Sequence, residues 1–166
     1  MVRKKGSLIF SLLCVMTIMV IIFMFSSQTG SGSSELSLKI SRLICRIVFF
    51  NFENMSSGEQ AFIVNELHYF VRKLAHFSVY MLLGFFSYAG LVSFKDVLKK
   101  PAVIALTVCA VYAISDEIHQ YFIPGRSMRV TDMLLDTFGS FIGIIVAAVL
   151  MILLDHIKNN FFNKIS

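Results

Sequence analysis

Apolar residues in this chain fall into four long runs, at 7–25, 74–94, 101–121 and 131–154. The first carries no charge, and the third turns polar only in its last turns. About 18 consecutive apolar residues suffice to cross a bilayer core of roughly 30 Å as a helix. Each run is therefore read as a membrane-spanning helix. Between the first two, residues 26–34 are rich in Ser and Gly and read as a flexible linker. Residues 35–50 are amphipathic. Leu36, Ile40, Leu43, Ile44 and Ile47 recur at helical spacing, and Lys39, Arg42 and Arg46 share the opposite side. Such a helix either lies in the headgroup layer with its cations toward phosphates, or packs over the bundle as a lid. Ser56 and Glu59 match a capping box and start a second loop helix at 57–72, which can continue into the second span. Pro101 suits the first turn of the third span, and Pro124-Gly125 stops the helix that precedes it. The expected fold is all-α: a four-helix transmembrane bundle with an amphipathic helical extracellular loop between the first and second membrane helices. The whole chain, 1–166, reads as one membrane domain without internal repeats.

Composition agrees with this pattern. Apolar residues make up 57% of the chain and charged residues 15%, against about a quarter charged in soluble domains. The net charge of +5 could indicate nucleic acid, but the Lys and Arg residues flank apolar runs and form no basic stripe outside the membrane helices long enough to suggest it. Nucleic acid is not an expected partner. Cys14, Cys45 and Cys109 have no spacing that suggests a disulfide framework or a zinc ribbon. Arg3, Lys4 and Lys5 before the first run imitate a signal peptide. That run is too long for one, so it is expected to stay as an uncleaved anchor. The N-terminus, the 95–100 turn and the tail hold eight of the 15 Lys and Arg residues, in short segments near helix ends. Both termini are accordingly expected in the cytoplasm, with the 26–72 and 116–131 loops outside.

Three polar stripes interrupt the apolar runs. Lys73, His76, Tyr80, Gly84 and Ser87 share one face of the second span. Cys109, Tyr112, Asp116, His119 and Gln120 share one face of the third, and Asp132, Asp136, Gly139, Gly143 and Ala147 one face of the fourth. Steps of three or four residues bring side chains to one side of a helix. Gly139 and Gly143 form a G-x-x-x-G, which lets a second helix approach closely. Their stripe carries Asp132 and Asp136, so these carboxylates should face a neighbouring helix. Topology brings His76, Asp116 and Asp136 to one membrane face. Ionisable groups in hydrocarbon cost roughly 2.5–3.5 kcal/mol each, so they should pair. Lys73, Arg126 and Arg129 are the expected partners of Asp116, Glu117, Asp132 and Asp136. Two readings follow: a salt-bridge network bracing the helices, or an outward-facing polar pocket. In the second, His76, Asp116, Glu117 and His119 are candidates for acid–base chemistry, with none assigned as catalytic. Arg126 could hold a phosphate or carboxylate. His76, Asp116 and His119 are metal-ligand types, but no H-E-x-x-H occurs and the spacing matches no standard site. Neither a metal nor a cofactor is expected.

At these residues the chain resembles the VanZ-like family of bacterial membrane proteins. Arg72-Lys73-Leu74-Ala75-His76-Phe77 with Tyr80 and Gly84 carries one part of the resemblance. The string Ser115-Asp116-Glu117-Ile118-His119-Gln120-Tyr121-Phe122-Ile123-Pro124-Gly125-Arg126 carries the most specific part. Asp132, Asp136, Gly139 and the stretch Phe25-Ser26-Ser27-Gln28 add to it. The family often has an acidic residue shortly after the first His, where Ser78 and Val79 stand here. The resemblance implies a small multi-pass protein of the cell envelope. The family's namesake is associated with low-level resistance to teicoplanin, a lipoglycopeptide, and other members with resistance to lipophilic antimicrobials. It follows that this chain should lower susceptibility to such compounds, acting at the outer face through a binding cluster of Lys73, His76, Tyr80, Asp116, Glu117, His119, Gln120, Arg126, Asp132 and Asp136. The partners expected are the bilayer and a lipid headgroup, a cell-wall precursor or a lipophilic antibiotic. A membrane-embedded enzyme acting on a lipid headgroup or cell-wall precursor is the first alternative. A small transporter or accessory subunit is the second, although no inverted repeat is present. No oligomeric state can be read from the sequence.

Overall fold

Local chemistry sets most helix ends in the computed structural model, which describes residues 2–93 and 99–163. α1 spans Val2–Ser26 and α2 spans Gly30–Val48. A 3-10 turn at Phe52–Asn54 leads into α3, Ser57–Val92. α4 spans Pro101–Tyr121 and α5 spans Val130–Asn163. The capping box forms as the sequence suggests: Ser56 Oγ accepts from the Glu59 N–H at 3.3 Å, and Glu59 accepts from the Ser56 N–H at 2.9 Å. Pro101 begins α4, where its missing N–H leaves no bond unmade. The described residues contain no strand. α1, α3, α4 and α5 are each long and apolar enough to cross a membrane. Most of the 95–100 turn lies outside the described residues.

Two segments differ from the expectation. The Ser/Gly stretch is helical from Gly30 onward, and only residues 27–29 remain irregular. Tertiary contact orders it. Thr29 caps the helix through Gly32, the Gly30 N–H donates to the Pro124 carbonyl at 3.1 Å, and Gly30 lies directly against the Gly125 backbone. A Cβ at Gly30 would overlap the Gly125 carbonyl, so Gly is required at that close approach. Gly125 itself adopts a φ of 75°, open to Gly without strain. The second loop helix and the second span are one element, the 36-residue α3. At 1.5 Å per residue it is about 54 Å long, well beyond the hydrocarbon core.

The surplus length of α3 is where α2 packs. Ser37, Ser41 and Cys45 are buried on this side, small enough to let the helices close up. Ser37 Oγ meets His68 Nδ1 at 2.9 Å, so His68 ties the two helices together instead of standing free on the surface. Cys45, Phe52 and Val64 form a small core beneath. Leu36, Leu43 and Ile47 stay exposed, and Lys39 and Arg46 pair with Glu35 and Glu53. α2 is thus docked on α3 through a small-residue stripe while Leu43 and Ile47 of its apolar stripe face outward.

In the bundle, α3 and α5 make the most extensive contact. Gly139 lies against Phe77, Gly143 against Met81 and Gly84 against Ser140, so the two helices run parallel. The G-x-x-x-G does admit a helix, and that helix is α3. Tyr112 Oη donates to the Met19 carbonyl at 2.6 Å, and Gln120 reaches Ser26, so α4 runs parallel to α1. Ile22 packs with Tyr80 and Leu83, while Gly90 meets Ser11, making α1 antiparallel to α3. The C-terminal ends of α1 and α4 therefore meet the transmembrane starts of α3 and α5 at one end of the bundle, beside α2.

Candidate functional site

Each transmembrane helix contributes to the polar cluster at the α2 end. Lys73 of α3 forms an ion pair with Asp132 of α5, with about a fifth of each side chain exposed. One turn further in, His76 Nδ1 lies 3.7 Å from Asp136 Oδ2. Asp136 is fully buried, and neither of its carboxylate oxygens has a hydrogen-bond partner among the described residues. Asp116 of α4 joins them. A nitrogen of His76 and one oxygen each of Asp116 and Asp136 all lie within 4.8 Å of one another. Tyr80 follows His76 by one helical turn, and its buried hydroxyl also lacks a partner.

A second network ties this cluster to α1. Gln120 Nε2 donates to Asp116 Oδ2 at 2.9 Å and to Ser26 Oγ at 3.2 Å. Its Oε1 accepts from Arg126 Nη1 at 3.0 Å. Arg126 also donates to the carbonyls of Phe25 and Gln28, at 2.8 and 2.9 Å. The Phe25 carbonyl lies in the last turn of α1 and Gln28 just beyond it, where a cation offsets the partial negative charge of the helix terminus. Burial draws the Arg126 guanidinium down from its usual range, and the positive field of Arg72 adds to this. It stays protonated, because an arginine starts so high.

The ion pairs expected from sequence form only in part. Lys73 with Asp132 does form. Arg126 bonds to carbonyls and Gln120, not to a carboxylate. Arg129 reaches Glu117 through its backbone N–H, at 2.8 Å to Oε2, and not through its guanidinium. Glu117 is buried, with its other oxygen unpartnered. His119 lies apart from His76. It stacks on Phe23 with ring centroids 4.8 Å apart and meets Ser27 Oγ at 3.1 Å. Lys73, His76, Tyr80, Asp116, Gln120, Arg126, Asp132 and Asp136 thus converge, Glu117 borders them beside Arg129, and His119 faces α1.

Two cavities adjoin here. One, of about 270 Å³, lies between α1, α2 and α3 and is walled mainly by apolar side chains, among them Ile22, Leu36, Ile40 and Val79. His76 and Tyr80 line it as well. The other, of about 170 Å³, is polar and includes Lys73, Arg129 and Asp132. Arg72 and Arg126 belong to both and stand between them. Arg72 makes no hydrogen bond or ion pair to another described residue. The sequence places it beside Lys73 on a predicted outer helix, yet nothing in its spacing marks it as a site residue.

A family model described as VanZ/LLP1 matches residues 10–152, most of the chain. No curated protein and no solved structure matches it.

Proposed function

Because the chain belongs to the VanZ/LLP1 family, we propose that this membrane protein acts at the outer face to lower susceptibility to lipoglycopeptides such as teicoplanin, or to other lipophilic antimicrobials. The observation that carries this reading is the pair of cavities joined at Arg72 and Arg126. An apolar groove beside a cationic cavity suits an amphiphile with an acyl chain and an anionic head. Apolar walls with a few convergent polar groups are the usual form of a binding site, and guanidinium forks favour phosphate and carboxylate. A lipid, a lipid-linked cell-wall precursor and a lipophilic antibiotic share that chemistry. The distribution of Lys and Arg supports an orientation with both termini in the cytoplasm and the α2 end outward. Arg72 is the cation to test, because it makes no hydrogen bond or ion pair to another described residue. Cells making the Arg72→Gln variant should lose protection while the protein stays in the membrane at normal levels. The purified variant should retain less anionic lipid than the wild type. Full protection by Arg72→Gln, with unchanged lipid retention, would sink the reading.

One observation favours an enzyme as the second reading. His76 lines the apolar groove while Asp136 stands behind it, the arrangement of a general base with an orienting carboxylate. Lipid profiles of cells with and without the active protein discriminate, since turnover of a headgroup or precursor leaves a product. Identical profiles at full protection exclude turnover.

A further inference from the structure

We propose that His76, Asp116 and Asp136 form a binding site for a divalent transition-metal ion, Zn²⁺ or Mn²⁺, at the wall of the apolar groove. The three residues come from α3, α4 and α5 and present one nitrogen and two oxygens to a common point. An ion with ligands at about 2.0–2.2 Å holds them roughly 3–4.4 Å apart. The 3.7 Å between His76 and Asp136 lies in that range. The remaining separations in the set lie within 4.8 Å.

Charge gives the site its reason. Asp116 and Asp136 are buried, and no lysine or arginine among the described residues reaches either carboxylate. Lys73 is held by Asp132, and Arg126 is held by carbonyls and Gln120. A buried carboxylate without a partner is costly. A divalent cation balances the two carboxylates and satisfies the Asp136 oxygens. Tyr80 supplies an independent pointer. Its hydroxyl is buried and unpartnered, one helical turn from His76. Gln120 fixes Asp116 from outside, as partners of metal ligands commonly do. Imidazole with carboxylates suits Zn²⁺ or Mn²⁺ better than an all-oxygen cation such as Mg²⁺. Since the ligands sit on three helices, no local spacing announces the site. The expectation of no metal rested on that spacing. The inference goes beyond the proposed function, because an ion can bind whether or not an amphiphile does.

The test uses the full chain, purified in detergent, stripped with a chelator and equilibrated with Zn²⁺, Mn²⁺ or Mg²⁺. One equivalent of Zn²⁺ or Mn²⁺ per chain is expected. Asp116→Asn and Asp136→Asn should each weaken binding at least tenfold, and His156→Ala should bind as the wild type does. X-ray absorption of the zinc-loaded wild type needs no variant, so it decides the matter even if a variant fails to fold. It should show oxygen ligands with one imidazole. No bound equivalent, a sulfur or a second imidazole at the zinc, preference for Mg²⁺, or full binding by both folded Asn variants would overturn the site.

Discussion

Arg126 and Gln120 meet through a 3.0 Å hydrogen bond that links the end of α1 to the buried carboxylate of Asp116. The guanidinium spends its fork on the Phe25 and Gln28 carbonyls at the end of α1 and on the Gln120 amide, so it joins its own loop to the end of α1 and to α4. Arg126→Ala leaves all three acceptors short of a charged donor. The expected loss of stability is at least about 2 kcal/mol, seen as a lower midpoint of thermal unfolding in detergent. Arg126→Lys should recover little of it, because an ammonium cannot reproduce the planar fork. A full recovery by lysine would mean that charge alone matters there.

Lys73 and Asp132 join the parallel helices α3 and α5 by an ion pair that is mostly shielded. Removing one partner leaves the other charge in a partly buried place. Lys73→Met and Asp132→Asn should each destabilise the protein, and the double variant should fall short of the sum. A coupling of about 1–3 kcal/mol is expected for residues in such contact. Additive effects in this double-mutant cycle would show the pair to be energetically idle.

Gly143 sits so close to Met81 that any Cβ would run into its carbonyl. Gly139 is similar, with the Phe77 oxygen 2.6 Å from a Cβ built there. Gly143→Leu should force α3 and α5 apart, at a cost of about 1–3 kcal/mol or more. Less of the protein should then be recovered from membranes. Gly58→Ala, which meets nothing within 4 Å, is the matched control and should be neutral. Equal recovery of both variants would contradict the packing.

Orientation can be read by labelling. Single cysteines placed at Ser57 and at Lys100, in a background with the three native cysteines replaced, should react from opposite sides of intact cells or spheroplasts. The Ser57 position should take up an impermeant thiol reagent from outside, and the Lys100 position only after permeabilisation. The reverse result would invert the assignment drawn from the Lys and Arg distribution.

The local features were legible because they depend on near neighbours in the chain. The box between Ser56 and Glu59 and the start at Pro101 follow from sequence alone. Burial of Asp136, Gly139 and Gly143 on one face follows from helical periodicity. The linker is the instructive failure. Ser and Gly are poor helix formers, yet residues 30–34 are helical because Gly30 docks on Pro124 and Gly125. Those contacts join positions nearly a hundred residues apart, so composition within the linker could not announce them.

The sequence by itself determined four apolar helices, their polar stripes and the end of the bundle at which those stripes gather. Periodicity and hydropathy are properties of single helices, and they suffice for that much. Tertiary structure decided which stripe faces which. It paired Lys73 with Asp132, turned Arg126 to the carbonyls of α1, sent His119 to Phe23 and brought His76, Asp116 and Asp136 within reach of one ion. In a bilayer the apolar faces of helices are nearly interchangeable, and hydrophobicity selects no neighbour. Shape at Gly84, Gly139 and Gly143, and the need of each buried polar group for a partner, made that selection instead.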